Sequence, residues 1–105
     1  MLHYHVWFDF KPQITERDGV SIINSFLTEL LREAKIAGFR ILKNAPAPPK
    51  TRLAAYDALI EFQTETQFAA AFDELQQIGI HTDPHGTIIR IVCNFSADVF
   101  KQVPG

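Results

Sequence analysis

Hydrophobic and polar residues alternate strictly over LHYHVWFDF, residues 2–10 of the chain. Alternation with a period of two is typical of a β-strand, because successive side chains point to opposite faces of a sheet. The pattern predicts further strands over residues 39–44, 52–62 and 87–100. In the last of these strands, we expect Cys93 to face the core.

Apolar residues recur at helical spacing in two other segments. The first predicted helix starts at Thr15, whose hydroxyl can cap backbone N–H groups. It stops at Gly38, since glycine adopts the left-handed conformation at little cost. The second helix follows the capping-box pattern TETQ at residues 64–67, in which the glutamine can reach back to the cap residue, and it ends at Gly79.

The predicted order of elements is β-α-β-β-α-β, with a proline-rich loop at residues 44–51 and a turn-rich loop at residues 80–86. This is the order of ferredoxin-like, α+β proteins. It predicts a four-stranded antiparallel sheet in spatial order 4-1-3-2, with two helices on one face. We expect residues 1–105 to form one domain, since this length suits a single hydrophobic core.

Composition and charge exclude several classes of function. The chain is 47% hydrophobic and 21% charged, with a formal net charge of -2, so no basic field favours nucleic acid or anionic lipid. The only cysteine, Cys93, excludes an internal disulfide framework and is typical of a reducing compartment. No signal-peptide pattern or membrane-length apolar stretch is present. The sequence therefore predicts a soluble cytoplasmic protein.

The sheet face turned away from the predicted helices carries an unusual mixture of residues. A solvent-exposed sheet face would carry more small polar and charged residues and fewer large apolar ones. A tryptophan, several branched aliphatic residues and opposite charges are together typical of a protein interface, so we expect a second copy of the chain to pack there. The predicted members of this face are His3, His5, Trp7, Asp9, Arg40, Leu42, Leu53, Asp57, Leu59, Glu61, Ile88, Arg90, Val92 and Asn94.

The segment FDFKPQIT at residues 8–15, the helix after it, the βαββαβ order and the mixed sheet face resemble the dimeric α+β barrel superfamily. This superfamily includes stress-responsive barrel proteins, small cofactor-independent monooxygenases, polyketide cyclases and many members of unknown function. The resemblance implies a homodimer in which two sheets pack face to face. It also implies a pocket between sheet and helices that binds or transforms a small organic molecule without a cofactor.

Some members of the superfamily use one histidine early in the first strand and another after the second helix. When the chain is aligned on FDFK, Tyr4 stands at the first position, and His81 or His85 corresponds to the second. Tyr56 is the third catalytic candidate, because the small residues Ala54 and Ala58 beside it leave room for a ligand. The alternative is that these alanines let the helices pack closely on the sheet.

A second group of candidates could bind a ligand at the sheet. Trp7 could stack on a ligand or on its symmetry mate, and the guanidinium groups of Arg40 and Arg90 suit a carboxylate. Asn94 is predicted to lie on the same face. The alternative for the arginines is a set of ion pairs that fixes strand register and the choice of partner.

The third group is a candidate metal site. His3 and His5 lie on one face of the first strand, ~7 Å apart, and Glu61 is expected beside them. Two histidines and a carboxylate can bind a divalent transition metal such as iron, zinc or manganese. The alternative is a hydrogen-bonded polar cluster in a dimer interface. A structural dimer without catalytic activity is thus an alternative to the enzyme and to the metalloprotein.

Overall fold

The computed structural model of the chain describes residues 1–45 and 54–104. Four antiparallel strands form one sheet in the order β2-β3-β1-β4, and helices cover one of its faces, as the sequence predicted for a ferredoxin-like fold. No helix among these residues is long and apolar enough to cross a membrane. The elements in chain order are β1 (Leu2–Phe10), α1 (Glu16–Arg32), β2 (Gly38–Lys43), β3 (Tyr56–Phe62), α2 (Glu65–Ile78), α3 (His85–Ile91) and β4 (Val92–Lys101).

The hydrophobic core lies between the sheet and the helices. Phe8 of β1 is only 2% exposed and belongs to one cluster with Ile23 and Leu27 of α1. On α2, Phe68 packs edge-on against Phe62 of β3 and Tyr4 of β1, at ring-centroid distances of 5.1 and 5.9 Å. Aromatic side chains therefore fill much of the space between α2 and the sheet, as a close-packed interior requires.

The first helix starts as predicted but ends earlier. Thr15 caps it, accepting a hydrogen bond from the backbone N–H of Asp18. At the other end, Ala34 and Lys35 donate to the carbonyls of Leu31 and Leu30, which is the Schellman arrangement. Ala34 has a φ of 58°, a conformation that usually favours glycine. The prediction that this helix ends at Gly38 is therefore wrong, and Gly38 instead begins β2.

The predicted strand over residues 87–100 is wrong in its first part, because α3 occupies residues 85–91. Isoleucines three positions apart in this apolar run fit a helix as well as a strand. In α3, Ile88 packs against the core and Arg90 pairs with Asp83, while Val92 at the start of β4 is buried in the core. The prediction that Ile88, Arg90 and Val92 lie on the sheet face away from the helices is therefore wrong.

A β-bulge in β4 overturns the prediction for Cys93. Trp7 pairs with Ser96 but Asp9 pairs with Cys93, so β4 contains one more residue than β1 over this interval. Cys93 therefore shares the face of Asp9, opposite to that of the buried Phe8, and is half-buried rather than a core residue. Phe95, two residues further along β4, is 62% exposed.

The second strand matches its prediction to within one residue, and the third ends as predicted but begins later, because Ala54 and Ala55 lie outside it. The sequence predicts strands over 39–44 and 52–62, and the structure has Gly38–Lys43 and Tyr56–Phe62. Most of the proline-rich loop, the start of the predicted third strand and Leu53 lie outside the described residues.

Candidate functional site

The sheet face turned away from the helices, here named the outer face, is organised in three rows of register-paired residues. Each row crosses the strands in the order β2-β3-β1-β4, so its four members lie at one level along the strand direction. The upper row is Leu42, Asp57, Trp7 and Ser96, the middle row is Arg40, Leu59, His5 and Asp98, and the lower row is Gly38, Glu61, His3 and Phe100.

Three rings form an aromatic cluster on the outer face. The rings of His5 and Trp7 stack with 5.3 Å between centroids and 10° between planes. Phe100 meets both edge-on, at 5.2 Å from His5 and 6.4 Å from Trp7. Phe100 remains 48% exposed and Leu42 44% exposed. The face therefore presents apolar surface that the described residues do not cover.

A half-buried hydrogen-bonded pair lies beside this cluster. Nδ1 of His5 is 2.7 Å from Oδ2 of Asp57. Since an ionised carboxylate can only accept a hydrogen bond, the Nδ1 atom carries the hydrogen and donates it. The other oxygen, Oδ1 of Asp57, is buried and has no hydrogen-bond partner among the described residues. His5 therefore provides the main stabilisation of this carboxylate.

Other charged groups on the outer face have no ion-pair partner in the described part of the chain. Arg40 is exposed and Glu61 is half-buried. Neither forms a salt bridge there. Asp98 accepts a hydrogen bond from the adjacent N–H of Val99 but forms no salt bridge. The outer face thus combines uncovered apolar surface with unpaired charges of both signs.

The metal candidates His3, His5 and Glu61 all lie on the outer face. His3 is the register partner of Glu61, as expected, but Nδ1 of His5 is engaged with Asp57. Within residues 1–45 and 54–104, no group of three or more His, Cys, Asp or Glu side chains is arranged to hold a metal ion. Metal binding by these three residues stays a prediction.

Of the ligand-binding candidates, Trp7 and Arg40 lie on the outer face and Asn94 borders it. Nδ2 of Asn94 donates to Oδ2 of Asp9, at 3.1 Å, and Oδ1 of Asp9 accepts from the backbone of Ala55. Arg90 is on α3 and donates to Asp83, away from the other three. The four residues therefore do not form one site.

Tyr56 lies on the helix side of the sheet, where it takes part in a three-residue polar cluster. Its hydroxyl donates to Oε1 of Glu16, at 2.6 Å, and Nζ of Lys43 reaches the same oxygen at 2.8 Å. A groove of about 480 Å³ opens here between the first turns of α1 and the end of β2. It is lined by Glu16, Arg17, Val20, Ser21, Asn24, Ile41, Lys43 and Tyr56.

Hydrogen bonding within this cluster shifts the pKa of all three groups. The hydrogen bonds from Lys43 and then from Tyr56 lower the pKa of Glu16. The hydrogen bond to Glu16 raises the pKa of Lys43 and that of Tyr56. Toward Glu16, the hydroxyl of Tyr56 therefore acts as a hydrogen-bond donor. The sequence gave no signal that Glu16 and Lys43 would meet at Tyr56.

The catalytic candidates His81 and His85 are not brought to Tyr56. Nδ1 of His85 lies 2.7 Å from the carbonyl oxygen of Ile80, and its ring meets Phe26 at 5.9 Å. Phe26 is ten residues beyond Glu16 on α1, or about 15 Å along the helix axis. The described contacts thus give no shared site to the loop histidines and Tyr56, and a catalytic role for these residues stays a prediction.

Solved structures with the same fold come from several organisms. A crystal structure of an Arabidopsis thaliana protein is 9% identical, covers 100% of this chain and 98% of that chain, and has a TM-score of 0.76. A dabb family protein with a ferredoxin-like fold from Mesorhizobium loti is 14% identical, with coverage of 98% and 97% and a TM-score of 0.59. A dimeric ferredoxin-like protein of unknown function from Bacteroides fragilis is 16% identical, with coverage of 96% and 95% and a TM-score of 0.53.

At these identities the likeness extends to the fold alone. No curated protein matches the chain. The profile of a family of unknown function, DUF6614, matches residues 1–105, and the chain belongs to that family.

Proposed function

We propose that the chain acts as a homodimer whose two copies pack through the outer face. The observation that carries this proposal is the cluster of His5, Trp7 and Phe100, in which Phe100 remains 48% exposed beside the hydrogen bond between His5 and Asp57. Interfaces combine apolar anchors with polar groups in this way. The Bacteroides fragilis protein of the same fold is described as dimeric, which is consistent with this proposal.

The exposed apolar side chains supply a driving force for this association. Fully burying one large apolar side chain contributes roughly 1.5–3 kcal/mol, so covering the exposed half of one contributes about 1 kcal/mol. Phe100 and Leu42 are 48% and 44% exposed, and a twofold interface counts each of them twice. These side chains together offer about 4 kcal/mol before the cost of association.

Sedimentation velocity tests the dimer directly. We expect a wild-type dimer at micromolar concentration and a monomer for Phe100→Glu, because the substitution replaces an exposed apolar side chain on each outer face with a carboxylate. Ile78→Glu is the matched control, since Ile78 is 51% exposed at the end of α2, away from the outer face. A wild-type monomer throughout the micromolar range would contradict the proposal, and so would an equal loss of dimer in both variants.

A second candidate function is the binding of a small organic molecule in the groove beside Tyr56. Val20 and Ile41 give the groove apolar lining, while Lys43 and Glu16 supply a donor and an acceptor at its polar end. Such a combination fixes the orientation of a small aromatic or carboxylic ligand. Catalysis by Tyr56 without a cofactor would be a further step beyond binding.

NMR titration with phenol and with benzoate tests this second candidate. We expect saturable amide shifts at Glu16, Val20 and Lys43, and weaker binding in Tyr56→Phe. Tyr4→Phe is the matched control, because Tyr4 packs against Phe68 on α2 instead. If no saturable shift is seen at these positions with either probe, phenols and carboxylates are excluded as ligands. The dimer is then the better proposal.

A further inference from the structure

We propose that the twofold axis of the dimer runs parallel to the strands, between β3 and β1, so that Arg40 of each copy pairs with Asp98 of the other. This inference rests on the proposed homodimer and specifies its arrangement. It assigns an ion-pair partner to Arg40, which forms no salt bridge within the described part of its own chain.

The argument starts from the strand order β2-β3-β1-β4. Rotation by a half turn about an axis parallel to the strands reverses this order but keeps every residue at its own level. β2 then faces β4 of the second copy, and β3 faces β1. In the middle row, Arg40 comes opposite Asp98 and Leu59 comes opposite His5, because all four share one level.

Charge complementarity favours this arrangement. Arg40 and Asp98 are both exposed, are opposite in charge and form no salt bridge in the described residues. In the lower row, Glu61 comes opposite His3, so a second unpaired carboxylate meets an imidazole that can donate to it. Asp57 already has His5 in its own chain. Each unpaired charge of the rows therefore gains a complementary group.

Shape complementarity in the lower row favours the same arrangement. Gly38 lies in the lower row on β2, and Phe100 lies in that row on β4. The proposed rotation therefore places the exposed ring of Phe100 over a residue without a side chain. This pairing relieves crowding where two sheets approach, and it covers the ring at the same time.

An axis that runs across the strands gives a poorer match. It would pass between the levels of Arg40 and Glu61 and place β2 over β2 of the second copy, so Arg40 would come opposite Gly38, with Glu61 of the second copy one strand away. β4 would then lie over β4 of the second copy, with Asp98 opposite Phe100. That arrangement would give the Asp98 carboxylate no cationic partner, whereas the proposed axis gives it Arg40.

Charge reversal distinguishes the two arrangements. In the proposed dimer, Arg40→Glu creates two contacts between carboxylates, and Asp98→Arg creates two contacts between guanidinium groups. We expect the dissociation constant of each variant to rise about 100-fold. When the two variants are mixed, both contacts of the heterodimer join opposite charges. We therefore expect the heterodimer to have the dissociation constant of the wild-type dimer. Sedimentation velocity with one fluorescently labelled variant measures it.

Each other outcome overturns the pairing. Rescue of Arg40→Glu by Glu61→Arg, but not by Asp98→Arg, would favour the axis across the strands. A wild-type dimer with no loss in either variant, or with no rescue on mixing, would reject the pairing and keep the homodimer. A wild-type monomer would instead reject the homodimer itself.

Neutral variants keep the test valid if a charge-reversed chain fails to fold. Arg40→Gln and Asp98→Asn remove one charge each, and circular dichroism checks that they are folded. The double variant should then weaken the dimer by less than the sum of the two single effects, since each single change already breaks the same contact. Additive effects would overturn the pairing.

Discussion

The ring of Phe10 occupies the space that a side chain at Gly19 would need. A Cβ atom placed on Gly19 would lie 2.3 Å from Cε1 of Phe10, far inside van der Waals contact. Glycine is unfavourable within a helix, and Gly19 is in the second turn of α1. The close approach of the ring explains the residue, because it lets the end of β1 pack directly against the helix backbone.

We therefore expect Gly19→Ala to destabilise the protein. The alanine gains about 1 kcal/mol of helix propensity, but overpacking against the ring costs about 1–3 kcal/mol. Urea unfolding at fixed protein concentration measures the difference. In a Phe10→Leu background the smaller side chain leaves room, so the same substitution should cost less or become stabilising. A Gly19→Ala variant more stable than wild type would contradict the packing at Phe10.

Replacing alanine with glycine at residue 34 should stabilise the end of α1. Ala34 has a φ of 58°, which costs a residue with a Cβ atom about 1–2 kcal/mol. Allowing for the greater freedom of glycine in the unfolded chain, we expect Ala34→Gly to stabilise by about 0.5–1 kcal/mol. Ala70→Gly, in the middle of α2, is the control and should destabilise by about 1 kcal/mol. The same sign for both variants in thermal unfolding would contradict the left-handed conformation of Ala34.

The His5–Asp57 pair gives a prediction of coupling. His5→Phe keeps an aromatic ring in the cluster but leaves the Asp57 carboxylate, which is 17% exposed, without its main partner. We expect a loss of about 1–3 kcal/mol in the free energy of unfolding. Asp57→Leu removes the unpaired group, so the double variant should recover part of the loss. Strictly additive losses, measured at one protein concentration, would indicate that the pair does not stabilise the fold.

The cluster at Tyr56 predicts a pH dependence at both ends of the scale. Since its pKa is raised, the stability that Tyr56 contributes is present below the ordinary value of 10.0 and is lost as the pH rises through the folded-state pKa. Since the pKa of Glu16 is lowered, its contribution is present above 4.5 and is lost as the pH falls through the folded-state pKa.

Phenolate absorbance in a Tyr4→Phe background follows the Tyr56 hydroxyl alone. Glu16→Gln should lower the pKa of Tyr56, because it removes the carboxylate that holds the hydroxyl proton. Glu29→Gln, which changes an exposed carboxylate paired with Arg32, should leave the titration unchanged. An unchanged titration in Glu16→Gln would contradict the hydrogen bond between Tyr56 and Glu16.

Local chemistry allowed several elements to be predicted from the sequence. β1 has the predicted bounds because its alternation is strict, and Thr15 and Thr64 cap their helices through their own hydroxyls. The capping glutamine, Gln67, differs only in detail, since its Oε1 accepts from Gln63 rather than from the cap residue. Strand order followed from the order of elements, because few topologies satisfy it.

The remaining differences come from interactions that a local pattern does not contain. Asn94 has a φ of 51° within the bulge of β4, and no proline or glycine marks that position. Tyr56 meets Glu16 across 40 residues of sequence. The contact of His85 with Phe26 of α1 depends on α3, which precedes β4. The sequence did not predict α3, because its apolar run also fits a strand. Tertiary packing decided these cases, and only the folded chain reveals it.

The bulge in β4 determines which side chains in the second half of that strand point to the outer face. The extra residue between Cys93 and Ser96 decides that Asp98 and Phe100 point outward while Ala97 and Val99 point toward the helices. Deleting one residue there would exchange the two sets, placing the Asp98 carboxylate on the helix side of the sheet and valine on the outer face. Changes of chain length are thus expected to be tolerated beyond Lys101, at the end of β4, but not within this strand.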